Sequence, residues 1–122
     1  MGIKNLAPDI FRQRLLIEGF FTRPVDEPVI RAYLLGLAAH LGLRTYGEPV
    51  VFAPASGEGR AQNAGFDAFV PLIDSGISGY FWTRPRFVSV VLYTCKGFDA
   101  DHAVAFTRDF FAIEGEFETH AF

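Results

Sequence analysis

The sequence predicts an α+β domain, with one antiparallel sheet carrying two helices on a single face. Three observations predict it. Two segments combine a capping aspartate with apolar residues at helical spacing, and five segments read as strands. Three of those strands follow one another through links of three or four residues. Links that short join antiparallel neighbours, because a parallel crossover needs about a dozen residues or more. The order is β-α-β-β-β-β-α in one domain over residues 1–122.

The first strand is expected at Ile10 to Phe21, where alternation meets a short apolar run. Asp26 then caps a helix whose first turn holds Glu27 and Pro28, both favoured at that position. Ile30, Tyr33, Leu34, Leu37, Ala38 and Leu41 form its apolar stripe, and Gly42 supplies the stop. Glu48 to Phe52 reads as a strand, followed by a long Gly/Ala/Ser/Asn-rich loop from Ala53 to Gly65. Phe66 to Ile73, Ile77 to Trp82 and Phe87 to Thr94 are the next strands, joined by turns at Asp74-Ser75-Gly76 and Thr83-Arg84-Pro85-Arg86. Asp99 caps a second helix through about Phe111, with Val104, Thr107, Phe110 and Phe111 on one stripe. The tail from Ile113 to Phe122 leaves an additional edge strand open. Both sheet faces are apolar in this pattern but the helices cover only one. A second copy of the chain is the simplest cover for the other, giving a homodimeric α/β/β/α sandwich.

Composition excludes several classes of function. Half of the 122 residues are hydrophobic and 14 are phenylalanine, so disorder is excluded. Roughly two-thirds of the unfolded surface is expected to be buried on folding. The longest apolar stretch, Ala32 to Leu43, is interrupted by His40 and falls short of the about 20 residues a bilayer span needs. Lys4, Asp9, Arg12 and Arg14 stand where a secretory leader would have its apolar region. A cytoplasmic protein without a membrane span is expected, and the single cysteine fits a reducing compartment. The net charge of −3, with no basic run, argues against nucleic acid. The three histidines and the cysteine show no metal-ligand spacing, so no metal is expected.

Strand arithmetic points to one constellation. A three-residue turn at Arg84-Pro85-Arg86 makes opposing residue numbers sum to 170 and sets Ser75 across from Cys95. A two-residue turn gives 169 and leaves them diagonal neighbours. Either way the chain's only thiol approaches a serine in a tight turn.

The run Leu72-Ile73-Asp74-Ser75-Gly76-Ile77-Ser78, then Trp82, then Tyr93-Thr94-Cys95-Lys96-Gly97, resembles the bacterial S-adenosylmethionine decarboxylases. That family carries Glu-Ser-His at a self-cleavage point, a Thr-Trp-Pro-Glu segment, and Phe-Thr-Cys-Gly twenty residues after the serine. The spacing from Ser75 to Cys95 is also twenty. The segment RQRLLIEGFF resembles the family's first strand, and Phe52-Ala53-Pro54 its Phe-Ser-Pro. The resemblance implies cleavage between Asp74 and Ser75, with Ser75 becoming a pyruvoyl group whose carbonyl serves as an electron sink. It further implies Cys95 as the acid that reprotonates the product carbon, Trp82 and Phe52 as aromatic contacts to the adenine, and a setting in spermidine synthesis.

Asp74 in place of the family's glutamate is a mild change, since the attacked carbonyl belongs to the backbone, but four further positions depart more. Its histidine five residues after the serine is Tyr80 here, and a phenol is a poorer base than imidazole at neutral pH. Its supporting serine eight residues before the cleavage point is Asp67, a candidate substitute base. Gly76 replaces the histidine that follows the serine, and Arg84 replaces the acid that would hold the ribose. A guanidinium has only donors and suits a carboxylate or phosphate instead. These departures favour an uncut, non-catalytic relative that binds a ligand or regulates. The alternative is an active pyruvoyl-dependent decarboxylase of S-adenosylmethionine or of another, carboxylate-bearing amino-acid substrate.

Overall fold

The structure is a computed structural model and describes residues 3–53 and 64–122. The elements are β1 (Gln13–Phe20), α1 (Glu27–His40), β2 (Val50–Phe52), β3 (Gly65–Leu72), β4 (Ser75–Trp82), β5 (Phe87–Thr94), α2 (Ala100–Phe110) and β6 (Phe117–Ala121). All six strands form one sheet in the order β2-β3-β4-β5-β1-β6, and every pairing is antiparallel. The α+β architecture therefore stands as predicted, with the tail supplying the edge strand β6. The predicted loop from Ala53 to Gly65, including Pro54, lies for the most part outside the described residues.

The helices begin where their caps place them. The Asp26 carboxylate accepts from the Val29 N–H at 3.1 Å, and Asp99 accepts from the His102 N–H at 3.0 Å. Gly42, at φ +71°, ends α1 in the left-handed region that glycine adopts at little cost. Ile30, Tyr33, Leu34 and Leu37 from α1 and Ala103 from α2 are fully buried against Ile17, Val70, Ile77, Val88, Val90 and Leu92 from the sheet. The Tyr33 hydroxyl and Thr107 Oγ1 share a hydrogen bond of 2.7 Å between the two helices. Burial pushes the Tyr33 phenol above its ordinary range, because ionising it there would leave a charge in an apolar core.

Several boundaries move, for local reasons. β1 starts at Gln13 rather than Ile10, because the Ile10 N–H donates to the Ala7 carbonyl and turns the chain before the ladder begins. β2 starts after Pro49, which has no N–H to donate. The turn expected at Asp74-Ser75-Gly76 is a two-residue turn at Ile73-Asp74, and Ser75 is already the first residue of β4, paired with Leu72. β4 and β5 meet through a four-residue turn at 83–86 in the 169 register, with Trp82 opposite Phe87.

Alternation along the strands puts a second set of residues on the face away from the helices. Phe52, Phe69, Tyr80 and Tyr93 are between 38% and 63% exposed there. Across β3 this face carries Asp67 and Phe69 while Ala68 and Val70 face the core.

Candidate active site at the Ser75 end of the sheet

Ser75 and Cys95 come together. The register sets Ser75 opposite Thr94, so Cys95 is its diagonal neighbour, and Ser75 Oγ lies 3.4 Å from Cys95 Sγ. Two further features accompany the contact. Ser75 has φ +125°, a region that a non-glycine residue occupies only under strain of about 1–3 kcal/mol. The backbone N–H of Cys95 donates to the Asp74 carbonyl oxygen at 2.8 Å. One residue thus presents a thiol to the serine hydroxyl and a backbone donor to the carbonyl just before that serine.

The surroundings hold this turn in place. The Ile73 N–H donates to the Arg44 carbonyl at 2.9 Å, tying the turn to the segment after α1. Thr94 is buried and donates to the Lys96 carbonyl at 2.6 Å, while Lys96 Nζ reaches the Gly42 carbonyl at 3.2 Å. Cys95 itself is exposed. Gly76 has a reason that sequence inspection missed. Phe69, from the adjacent strand, lies across it, and a Cβ at residue 76 would meet the ring at 2.4 Å. A larger residue at 76 requires that ring to swing away. The signal was available in principle, since a bulky residue on β3 opposite a glycine-flanked turn is a cross-strand packing pattern.

The remaining site candidates lie elsewhere on the open face. Asp67 is paired with both Tyr80 and Phe52 in the ladder, and the three line a groove of about 270 Å³ with Val50, Phe69 and Ser78. Tyr80 is five residues from Ser75 along β4, about 16 Å at the rise of an extended strand. Within one protomer, Asp67 and Tyr80 are therefore not beside Ser75. Trp82 is farther still, packed against Phe87 at a ring separation of 5.4 Å, so it does not line the Ser75–Cys95 site of its own protomer. Arg84 stands exposed on the turn after β4, outside the aromatic groove. Among the described residues no three His, Cys, Asp or Glu side chains converge on a metal-sized site, and no helix is long and apolar enough to cross a membrane.

The architecture, one six-stranded antiparallel sheet with two helices, is an S-adenosylmethionine decarboxylase-like fold. The crystal structure of the adenosylmethionine decarboxylase from Aquifex aeolicus matches this chain with a TM-score of 0.70, covering 93% of this chain and 89% of that one at 18% identity. The protein is thus a divergent structural relative of that enzyme, and at this identity the likeness is one of fold. No family model and no curated protein matches the sequence.

The pyruvoyl group that the sequence resemblance implies would be made from a serine of the chain. The residues present fit that origin: a strained serine, an adjacent thiol and a carbonyl already held by a backbone donor.

Proposed function

We propose that Asp74-Ser75 is a self-processing site and that the chain is a pyruvoyl-dependent decarboxylase acting on an amino acid. The observation that carries the proposal is the double role of Cys95, whose Sγ approaches Ser75 Oγ at 3.4 Å while its N–H holds the Asp74 carbonyl at 2.8 Å. Attack of Ser75 Oγ on the Asp74 carbonyl carbon forms an ester, breaks the peptide C–N bond and leaves the Ser75 nitrogen as an amine. Negative charge gathers on the Asp74 oxygen during that attack, where the Cys95 N–H already points. Removal of the Ser75 Cα proton then breaks the Cβ–Oγ bond and releases residues 1–74 with an Asp74 carboxylate. Water replaces the nitrogen of what remains, releasing ammonia and leaving the pyruvoyl carbonyl.

When formed, that carbonyl supplies an electron sink for loss of carbon dioxide from a bound amino acid. Cys95 is positioned to return a proton to the product carbon. The groove lined by Phe52, Asp67, Phe69 and Tyr80 offers flat apolar surfaces beside one carboxylate. That combination suits a substrate with a flat or positively charged group, S-adenosylmethionine being the first candidate, in polyamine biosynthesis in the cytoplasm.

The base for the elimination step comes from a second copy. The open apolar face favours an isologous, face-to-face homodimer. A two-fold axis lying between the two open faces and running across the strands would set Asp67 and Tyr80 of one copy toward the Ser75 end of the other.

The second possibility is the uncut, ligand-binding or regulatory relative. It is favoured by Tyr80 and Asp67 standing where the resemblance calls for a histidine and a serine. One measurement separates the two. Intact-mass spectrometry of the purified chain is expected to give residues 1–74 and a pyruvoyl-led 75–122, with Ser75→Ala remaining whole. A wild-type chain that stays at 122 residues after prolonged incubation supports the uncut relative instead. Exchanging Tyr80→His and Asp67→Ser would then show whether the base was the missing part.

A further inference from the structure

We propose that the cavity formed by the N-terminal segment and the start of β1 is a binding site for a small oxyanion, a carboxylate or phosphate group. The cavity has a volume of about 220 Å³ and is lined by Lys4, Asn5, Ile10, Phe11, Arg12 and Arg14 among others, with no aspartate or glutamate. Three cations converge there in a chain whose net charge is −3, so the local sign is opposite to that of the whole protein.

Arg14 carries the strongest indication. Its guanidinium lies over the Phe122 ring, 5.3 Å from the centroid, and its Nε is buried without a hydrogen-bond partner among the described residues. A desolvated donor on a charged group is costly unless an acceptor reaches it. Arg12 reaches the Asn5 side chain and the Ala7 carbonyl through a single nitrogen, Nη2, which folds the segment over and leaves the rest of its fork free to donate. Two guanidinium forks with spare donors and a lysine match the geometry of a planar carboxylate or a phosphate. The volume falls below the about 300–1,000 Å³ of pockets that take drug-sized ligands, and so suits a small anionic group.

The cavity is tied to the Ser75 end of the sheet. Gln13, Thr94 and Ser75 lie abreast on three adjacent strands. The Gln13 side chain exchanges hydrogen bonds of 2.9 and 3.0 Å with the Phe98 backbone, and the Phe11 ring packs over Gly97. An anion held by Arg12 and Arg14 therefore braces the loop that carries Cys95. The site stands whether or not Ser75 is cleaved.

Titration calorimetry with inorganic phosphate on the full chain, against sodium chloride at matched ionic strength, tests it. The expected result is saturable phosphate binding, competed by malonate, with the affinity reduced by about tenfold or more in Arg14→Gln. Arg108→Gln, on α2, is expected to bind as the wild type does. Should Arg14→Gln fold poorly, Arg12→Gln and Lys4→Gln probe the same cavity from the exposed segment and are each expected to weaken binding. Absence of saturable binding overturns the proposal, as does equal binding by the wild type and all three cavity variants. Loss of self-association in Arg14→Gln without any phosphate binding also overturns it, since Arg14 would then face a carboxylate of a second copy.

Discussion

The two faces of the sheet are built from the same strands and answer to different demands. On the helix-covered face Ile17, Val70, Ile77, Val90 and Leu92 are essentially inaccessible to solvent, and the buried Tyr33 and Thr107 hydroxyls bond to each other. On the open face Phe52, Phe69, Tyr80 and Tyr93 remain substantially exposed and Asp67 sits among aromatics, while the strained Ser75 stands at the end of β4 in register with the buried Leu72 and Thr94. The covered face holds the protomer together, while the open face keeps aromatic surface exposed.

Substitutions on each side sharpen the contrast. The largest effect is expected from Leu37→Ala, which empties volume at a fully buried position and should cost about 2–5 kcal/mol in urea unfolding. Tyr33→Phe leaves the Thr107 hydroxyl buried without its partner, and a loss of about 1–3 kcal/mol is expected. The same tyrosine gives a pH signature. Its phenol is held neutral when folded, so the stabilisation is complete below the unfolded value of about 10 and is lost as pH rises above it. Unfolding midpoints measured from pH 8 to 11 should therefore fall at the alkaline end in the wild type, and fall less in Tyr33→Phe.

A cap substitution is milder. Asp99→Ala removes the acceptor for the His102 N–H and should lower stability by about 1 kcal/mol. A loss of about 1 kcal/mol in the protomer is expected from Phe69→Asp on the open face, since the ring that packs over Gly76 is lost and aspartate is a poor strand former. If the proposed face-to-face pairing holds, sedimentation should nevertheless show a wild-type dimer and a monomeric variant. A stability loss comparable to that of Leu37→Ala would break the comparison, because it would show that the open face also supports the protomer.

Much of this architecture was legible because the signals are local. Asp26, Asp99 and Gly42 mark helix ends through hydrogen bonds within a few residues. The β4–β5 turn fixes a register that carries Ser75 to Cys95 by counting alone. Less local features were misjudged or unseen. The turn before β4 is one residue tighter than expected because Leu72 and Ser75 pair directly. The motif by itself gives no distances, and only once residues 75–82 are one extended strand do Tyr80 and Trp82, with Asp67 opposite Tyr80 on β3, fall away from Ser75.

The sequence by itself determined the helices, the hairpins and the neighbourhood of the one cysteine, because caps, turns and alternation act over short separations. Only the tertiary structure decided that β1 inserts between β5 and β6, an arrangement that depends on contacts between segments far apart along the chain, from Phe20–Phe87 to Leu15–Ala121. It also decided the positive φ of Ser75, the donation from Cys95 N–H to Asp74, the Phe69 ring over Gly76 and the convergence of Arg12 with Arg14. Each of these depends on backbone and rotamer geometry that the spacing of residues along the chain does not give, whether the partners are close in sequence, as Arg12 and Arg14 are, or twenty-one residues apart, as Asp74 and Cys95 are.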